Sequence, residues 1–183
     1  IALAIESTMR RRGAEAPSFS TIVAGGENGA LPHAVPGRTA IMKDASLTID
    51  MGLILDGYCS DMTRTFVTGR ATDRYLKLHR LVRQAQLAGM AAIRAGVRAS
   101  DADRAARRII AEAGYGDYFG HSLGHGVGLA VHEEPRVSSR NKKQLRTGMV
   151  VTVEPGIYIP GWGGIRLENM VVVDEDGCEN LNS

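Results

Sequence analysis

Residues 120–135 read GHSLGHGVGLAVHEEP, and this stretch most limits what the chain can fold into. Glycines at 120, 124, 126 and 128, with Gly116 just upstream, make it a poor helix. They suit backbone that passes close to another element while side chains aim at one point. Three of the five histidines lie here, His121, His125 and His132, spaced by four and by seven. Titratable rings crowded beside apolar Val127, Leu129 and Val131 call for partners from elsewhere in the chain.

Those partners can be sought along the chain. Residues 2–12 read as a helix closed by Gly13. Residues 20–25 are strand-like, and GGENG at 25–29 is turn chemistry. His33 follows in a loop fixed by Pro32 and Pro36. Residues 47–55 and 60–67 read as a hairpin about Asp56-Gly57. That turn sets Asp50 opposite Thr63 and makes Asp61 a diagonal neighbour, with both carboxylates on one side. Residues 73–95 read as a helix with Leu78, Leu81, Val82, Ala85, Ala88 and Ala92 as its apolar stripe, and His79 as a surface or packing residue beside it. A second helix spans 101–113, with Ser100 and Asp103 resembling a capping box. Residues 149–154 read as a buried strand ended by Pro155, residues 156–164 as a loop, and 165–173 as the last strand. Arg166, Glu168 and Met170 share one face of it, so Arg166 is placed to orient or neutralise Glu168.

Composition narrows the classes. A chain of 183 residues is one domain of ordinary size, large enough for a real core. A net charge of +2 is too small to argue for nucleic acid, and Arg10, Arg11 and Arg12 read as a solvated helix end. No run approaches the roughly 18 apolar residues of a membrane span. Cys59 and Cys178 form neither a disulfide framework nor a CxxC pair, so a cytoplasmic setting is expected. The first residues are not a signal peptide, because their charges follow the apolar part. Ile1 is not an initiator residue, and an N-terminal portion is expected before it.

Four carboxylates, Asp50, Asp61, Glu154 and Glu168, sit in otherwise apolar strands, where each is costly without a partner. Like charges this close repel unless a cation or proton lies between them. With the imidazole cluster they match a two-metal site, its cations about 3.5–4 Å apart. Four oxygen donors and one histidine form a hard set that favours Mn²⁺, Co²⁺ or Fe²⁺ over a thiolate zinc site. HEEP at 132–135 is no zincin motif, since Arg136 stands where the second histidine belongs. GHGVG lacks the GK[ST] ending of a phosphate loop, and Ser122 lacks a nucleophile elbow.

The stretches NGALPHAVPG, IDMGLILDGYCSDMTRTF, GHSLGHGVGLAVHEEP, GMVVTVEPGIYIPG and GGIRLEN together resemble the pita-bread metallopeptidases, specifically the Xaa-Pro branch of prolidase and aminopeptidase P. The resemblance runs from residue 28 to about residue 175. It implies an α+β pita-bread (creatinase/aminopeptidase) fold, a curved antiparallel sheet flanked by helices in pseudo-twofold halves. Residues 1–183 would form the catalytic domain, N-terminally truncated and lacking one helix and a separate N-terminal domain. By resemblance the ligands are Asp50, Asp61, His125, Glu154 and Glu168. Asp61 and Glu168 bridge, Asp50 serves one metal, and His125 with Glu154 serves the other. Two divalent ions are implied, Mn²⁺ or Co²⁺ first, Fe²⁺ or Zn²⁺ as alternatives. They would activate water for attack on the scissile carbonyl. Glu154 is expected to shuttle the proton and His132 to donate to the oxyanion. His33 and His121 are expected to hold substrate, and Arg166 matches the arginine before the last ligand. Asn169 departs from an acidic residue often found at its position.

The implied substrate is a small peptide with proline at the second position, with no nucleic acid or membrane partner and a homodimer as the assembly to test. A methionine aminopeptidase and a non-catalytic binding module on the same fold are the alternatives. A creatinase-like hydrolase does without the metal ligands, all of which are present here.

Overall fold

Asp56 and Gly57 both take positive φ, 50° and 78°. This is the two-residue turn whose twist matches that of its flanking strands. In the computed structural model, which describes residues 1–182, the turn fixes the register of everything around it. Leu55 pairs with Tyr58 and Ile54 with Cys59, and the same register continues to Met51–Met62 and Asp50–Thr63.

The elements in chain order are α1 (Ala2–Arg11), β1 (Ala16–Pro17), β2 (Ile22–Gly25), β3 (Ser46–Met51), β4 (Leu53–Leu55), β5 (Tyr58–Cys59), β6 (Met62–Val67), α2 (Asp73–Ala92) and α3 (Ala99–Glu112). They continue with β7 (Gly124–Gly126), β8 (Glu133–Val137), β9 (Val150–Val153), β10 (Gly156–Ile159), β11 (Gly163–Arg166), β12 (Asn169–Val173) and β13 (Cys178–Asn180). Every pairing is antiparallel, and the ladders run β2-β3-β6, β1-β4-β5, β10-β11 and β13-β12-β9-β7-β8. No helix among the described residues is long and apolar enough to cross a membrane.

The sheet breaks where the sequence reading ran strands on. The expected strand 47–55 divides at Gly52, whose backbone is pressed so close that a Cβ there would stand 2.0 Å from the Ser60 carbonyl oxygen. The expected loop 156–164 is the hairpin β10–β11, and the expected strand 165–173 breaks at Leu167–Glu168. Across that break Leu167 donates to the Pro155 carbonyl and Glu168 to the Thr63 carbonyl, so the chain changes partners there.

Helices α2 and α3 cover the five-stranded ladder. Leu78, Val82, Ile110, Leu123, Val151, Val153, Ile165 and Val171 are wholly buried between them. Helix α2 starts at Thr72, whose hydroxyl accepts from Tyr75 N. Its buried stripe includes Gly89 and Gln86 rather than Ala88 and Ala92. Gly89 lets the helix lie against Leu123 and Val153, and Gln86 donates to the Val153 carbonyl. His79 packs on Tyr75, as a packing residue should. Ser100 and Asp103 do not form the expected capping box; α3 begins at Arg98 with no side-chain cap. Asp103 is instead fully buried, gripping Arg107 at 2.8 Å and accepting from Leu123 N at 3.0 Å. Arg107 in turn donates to the Phe119 and His121 carbonyls. This pair anchors the approach to the histidine-rich stretch.

Candidate metal centre

The glycines of residues 120–135 do serve close approach. A Cβ at Gly124 would stand 2.0 Å from the Thr152 carbonyl oxygen, and one at Gly126 would stand 2.5 Å from the Glu134 carbonyl oxygen. Between them His125 is held in β7 against β9, where its N–H donates to Thr152 Oγ1 and its Nδ1 faces the Gly126 carbonyl at 3.0 Å. A ring nitrogen beside a carbonyl carries the proton. His125 Nε2 turns inward, 3.3 Å from Glu154 Oε1 and 3.6 Å from Asp61 Oδ2. Burial lowers its titration, but the Glu154 hydrogen bond and charge outweigh burial and raise it. Without a cation Nε2 therefore carries a proton towards Glu154, and a cation would take that proton's place.

Four elements bring the remaining groups to the same place. Asp50 comes from β3, and Asp61 from the step between β5 and β6. Glu154 follows β9, and Glu168 lies in the break before β12. Asp50, Asp61 and Glu168 are 9%, 5% and 1% exposed. One ligand atom from each of Asp61, His125 and Glu168 lies within 4.8 Å of the others. Among the described residues, four buried side-chain oxygens lack any hydrogen-bond partner: Thr21 Oγ1, Asp50 Oδ1, Asp61 Oδ1 and Glu168 Oε1. Three of the four thus belong to this one cluster, and buried acceptors left open side by side fit divalent cations.

The electrostatics tell the same story. Burial, then the charges of Asp50 and Glu154, push the Asp61 carboxyl up to about 8. Burial and the Glu154, Asp61 and Asp50 charges raise Glu168 well above the ordinary carboxylate range. Burial raises Asp50 even against the neighbouring Arg166. Burial works to raise Glu154 too, but His125 and His121 outweigh it and hold Glu154 low. Mutually raised carboxylates at one point are the mark of like charges gathered for a cation.

Arg166 does not take the expected partner. Its Nη2 donates to Asp50 Oδ2 at 2.7 Å, and it reaches Glu168 only through Thr63, whose hydroxyl accepts from Arg166 Nε. The break at Leu167 turns the two side chains out of a common strand face. Arg166 Nη1 also donates to Tyr158 OH at 2.9 Å and to the Pro32 carbonyl at 3.2 Å, next to His33. His121 has both ring nitrogens occupied, by the Ser122 carbonyl and by Tyr158 OH. His132 is exposed, its ring 4.3 Å from that of His125, and His33 is exposed on its loop. Asn169 Nδ2 donates to Asn180 Oδ1 at 2.8 Å.

A profile of metallopeptidase family M24 matches residues 1–175. The chain belongs to metallopeptidase family M24. Within the family it is 45% identical over 181 residues to the Xaa-Pro dipeptidase of Pyrococcus furiosus, covering 99% of this chain and 52% of that protein. An X-Pro aminopeptidase from Thermotoga maritima superposes with a TM-score of 0.98 at 44% identity, over 100% of this chain and 52% of the other. An Xaa-Pro dipeptidase from Bacillus anthracis superposes at 0.96 with 45% identity, over 98% and 50%. The fold is therefore the pita-bread fold, and this family M24 chain spans about half the length of the relatives it matches. Membership of a metallopeptidase family implies divalent metal ions, which the cluster of open oxygens fits.

Sequence reasoning missed Tyr158, Thr63 and Asp103. Tyr158 lay in a stretch read as loop, and Asp103 in one read as a cap. Thr63 carries no sequence signal beyond its place opposite Asp50.

Proposed function

We propose that residues 1–183 are the catalytic domain of a divalent-metal-dependent peptidase that hydrolyses the Xaa-Pro bond, in dipeptides or at the N-terminus of longer peptides. The observation that carries this reading is the set of partnerless buried oxygens on Asp50, Asp61 and Glu168 beside His125 and Glu154. Two cations would be held by Asp50, Asp61, His125, Glu154 and Glu168, with Asp61 and Glu168 shared. The oxygen-rich set suits Mn²⁺ or Co²⁺, with Fe²⁺ or Zn²⁺ next. When bound, such ions polarise a carbonyl and make water a stronger nucleophile near neutral pH.

The side chains supply the rest. Glu154 accepts the proton of the attacking water and passes it to the leaving nitrogen. His132, exposed beside His125, donates to the developing oxyanion. His33 contacts the substrate from a loop whose Pro32 carbonyl is tied to Arg166. His121, with both nitrogens engaged inside the protein, orients Tyr158 and through it Arg166. Proline at the second position is supported by relatives named Xaa-Pro dipeptidase and X-Pro aminopeptidase. The free cysteines suit the cytoplasm, and a homodimer is the assembly to look for by light scattering.

The test is hydrolysis by chelator-stripped protein after adding back Mn²⁺ or Co²⁺. X-Pro dipeptides, longer X-Pro-Y peptides and Met-Ala peptides are compared. Cleavage of the dipeptides alone means a prolidase, and cleavage of the longer peptides an aminopeptidase P. Preference for Met-Ala overturns the proline reading, and turnover of none with two cations bound means either a binding module or a domain that needs the rest of its protein for activity. Asp61→Asn and Glu168→Gln should each abolish metal loading.

A further inference from the structure

Thr63 holds Glu168 twice. It is fully buried in β6, opposite Asp50 in the ladder. Its hydroxyl lies 2.6 Å from Glu168 Oε2 and 3.0 Å from Arg166 Nε. A guanidinium only donates, so Arg166 gives its Nε–H to the Thr63 oxygen. The one hydroxyl hydrogen of Thr63 then goes to Glu168 Oε2. The main chain repeats the grip, because Glu168 N–H donates to the Thr63 carbonyl at 3.1 Å. Glu168 needs this, since it lies in the gap between β11 and β12 where no ladder holds it. Its other oxygen, Oε1, stays without a partner.

We propose that Thr63 is a positioning residue for metal binding: its hydroxyl fixes the Glu168 carboxylate with Oε1 free for a cation, and couples that orientation to the arginine that holds Asp50. The inference rests on the reading of Glu168 as a ligand. It assigns Thr63 to neither substrate nor reacting atoms. Partners standing behind metal ligands typically carry about 10–100-fold in metal affinity.

Thr63→Val keeps the volume and branching and removes only the hydroxyl, whereas Thr63→Ser keeps the hydroxyl and removes the methyl. Both are made in the full chain, and Co²⁺ binding to chelator-stripped protein is followed by visible absorption and calorimetry. T63V should bind Co²⁺ about 10–100-fold more weakly, with a changed absorption spectrum, and T63S should match wild type. A residue that only packs would move thermal unfolding without changing the spectrum. If T63V does not fold, as judged by circular dichroism, T63A carries the same comparison with T63S. Wild-type affinity and spectrum in T63V, or equal loss in T63S, overturns the positioning role while leaving Glu168 as a ligand. Wild-type protein that binds no cation overturns both.

Discussion

Arg166 Nη2 stands 2.7 Å from Asp50 Oδ2, and the same guanidinium donates to Tyr158, Thr63 and the Pro32 carbonyl. One planar fork with five donors therefore joins the Asp50 hairpin, the His33 loop and, through Tyr158, the histidine-rich stretch. A lysine cannot span these directions. Arg166→Met leaves Asp50 an uncompensated buried charge and should cost about 3–5 kcal/mol of stability at pH 7. Urea unfolding of chelator-treated protein measures it; an unchanged midpoint would show that Asp50 does not depend on this partner. Arg166→Lys should recover only part of the loss.

The crowded carboxylates set a pH dependence for the metal-free protein. Folded Asp61 keeps its proton up to about pH 8, while an unfolded aspartate loses it near 3.8. The folded state thus holds more protons, so stability falls as pH rises through this window, by at most about 1.4 kcal/mol per pH unit for one group. Glu168, also raised, acts in the same sense. Glu154, held low, acts in the opposite sense, losing its contribution only as pH falls below the ordinary carboxylate range. His121, its titration lowered by burial, is neutral in both states above pH 7. Unfolding midpoints of chelated protein should therefore drop from pH 7 to pH 8, and added Mn²⁺ should remove the drop. A rising midpoint would mean the carboxylates are already compensated.

Much of this was legible in the sequence because it depends on local rules. A two-residue turn at Asp56-Gly57 leaves one register, so Asp50 opposite Thr63 follows from counting, and the structure has it. The carboxylates in apolar strands stood out because their burial is costly. What stayed hidden depends on where a strand changes partners. Nothing in the hydrophobic pattern marks the break at Leu167–Glu168, so strand alternation sets Arg166 beside Glu168 and hides its partner Asp50 across the fold. Asp103 carried the spacing of a cap, yet its partner Leu123 is far along the chain, beyond any helix rule. Tyr158 looked like loop because prolines and glycines surround it, although those glycines turn a hairpin.

Gly124 should tolerate no side chain. The Cβ of Gly124→Ala would overlap the Thr152 carbonyl at 2.0 Å, and backbone cannot step aside as a flexible side chain can. Displacing β7 from β9 moves His125 with it, since Thr152 Oγ1 accepts the His125 N–H. Overpacking of this kind costs about 1–3 kcal/mol. Metal affinity should fall together with stability in G124A. If isothermal titration finds two cations bound as tightly as in wild type, His125 is not a ligand held by this contact.

His132 separates chemistry from metal holding. It is exposed, its ring makes no hydrogen bond among the described residues, and it packs edge-to-face with the His125 ring. Burial and the neighbouring His125 lower its titration, so it is a neutral imidazole at pH 7, able to donate from whichever nitrogen carries the hydrogen. His132→Ala should thus leave folding and two-cation stoichiometry intact and lower kcat by about 10²–10³-fold, the loss seen when one oxyanion donor is removed. Asp61→Asn should instead lose the metal itself. Elemental analysis beside steady-state kinetics distinguishes the two. Loss of metal in H132A would make His132 part of the centre, and unchanged kcat would remove it from the reaction.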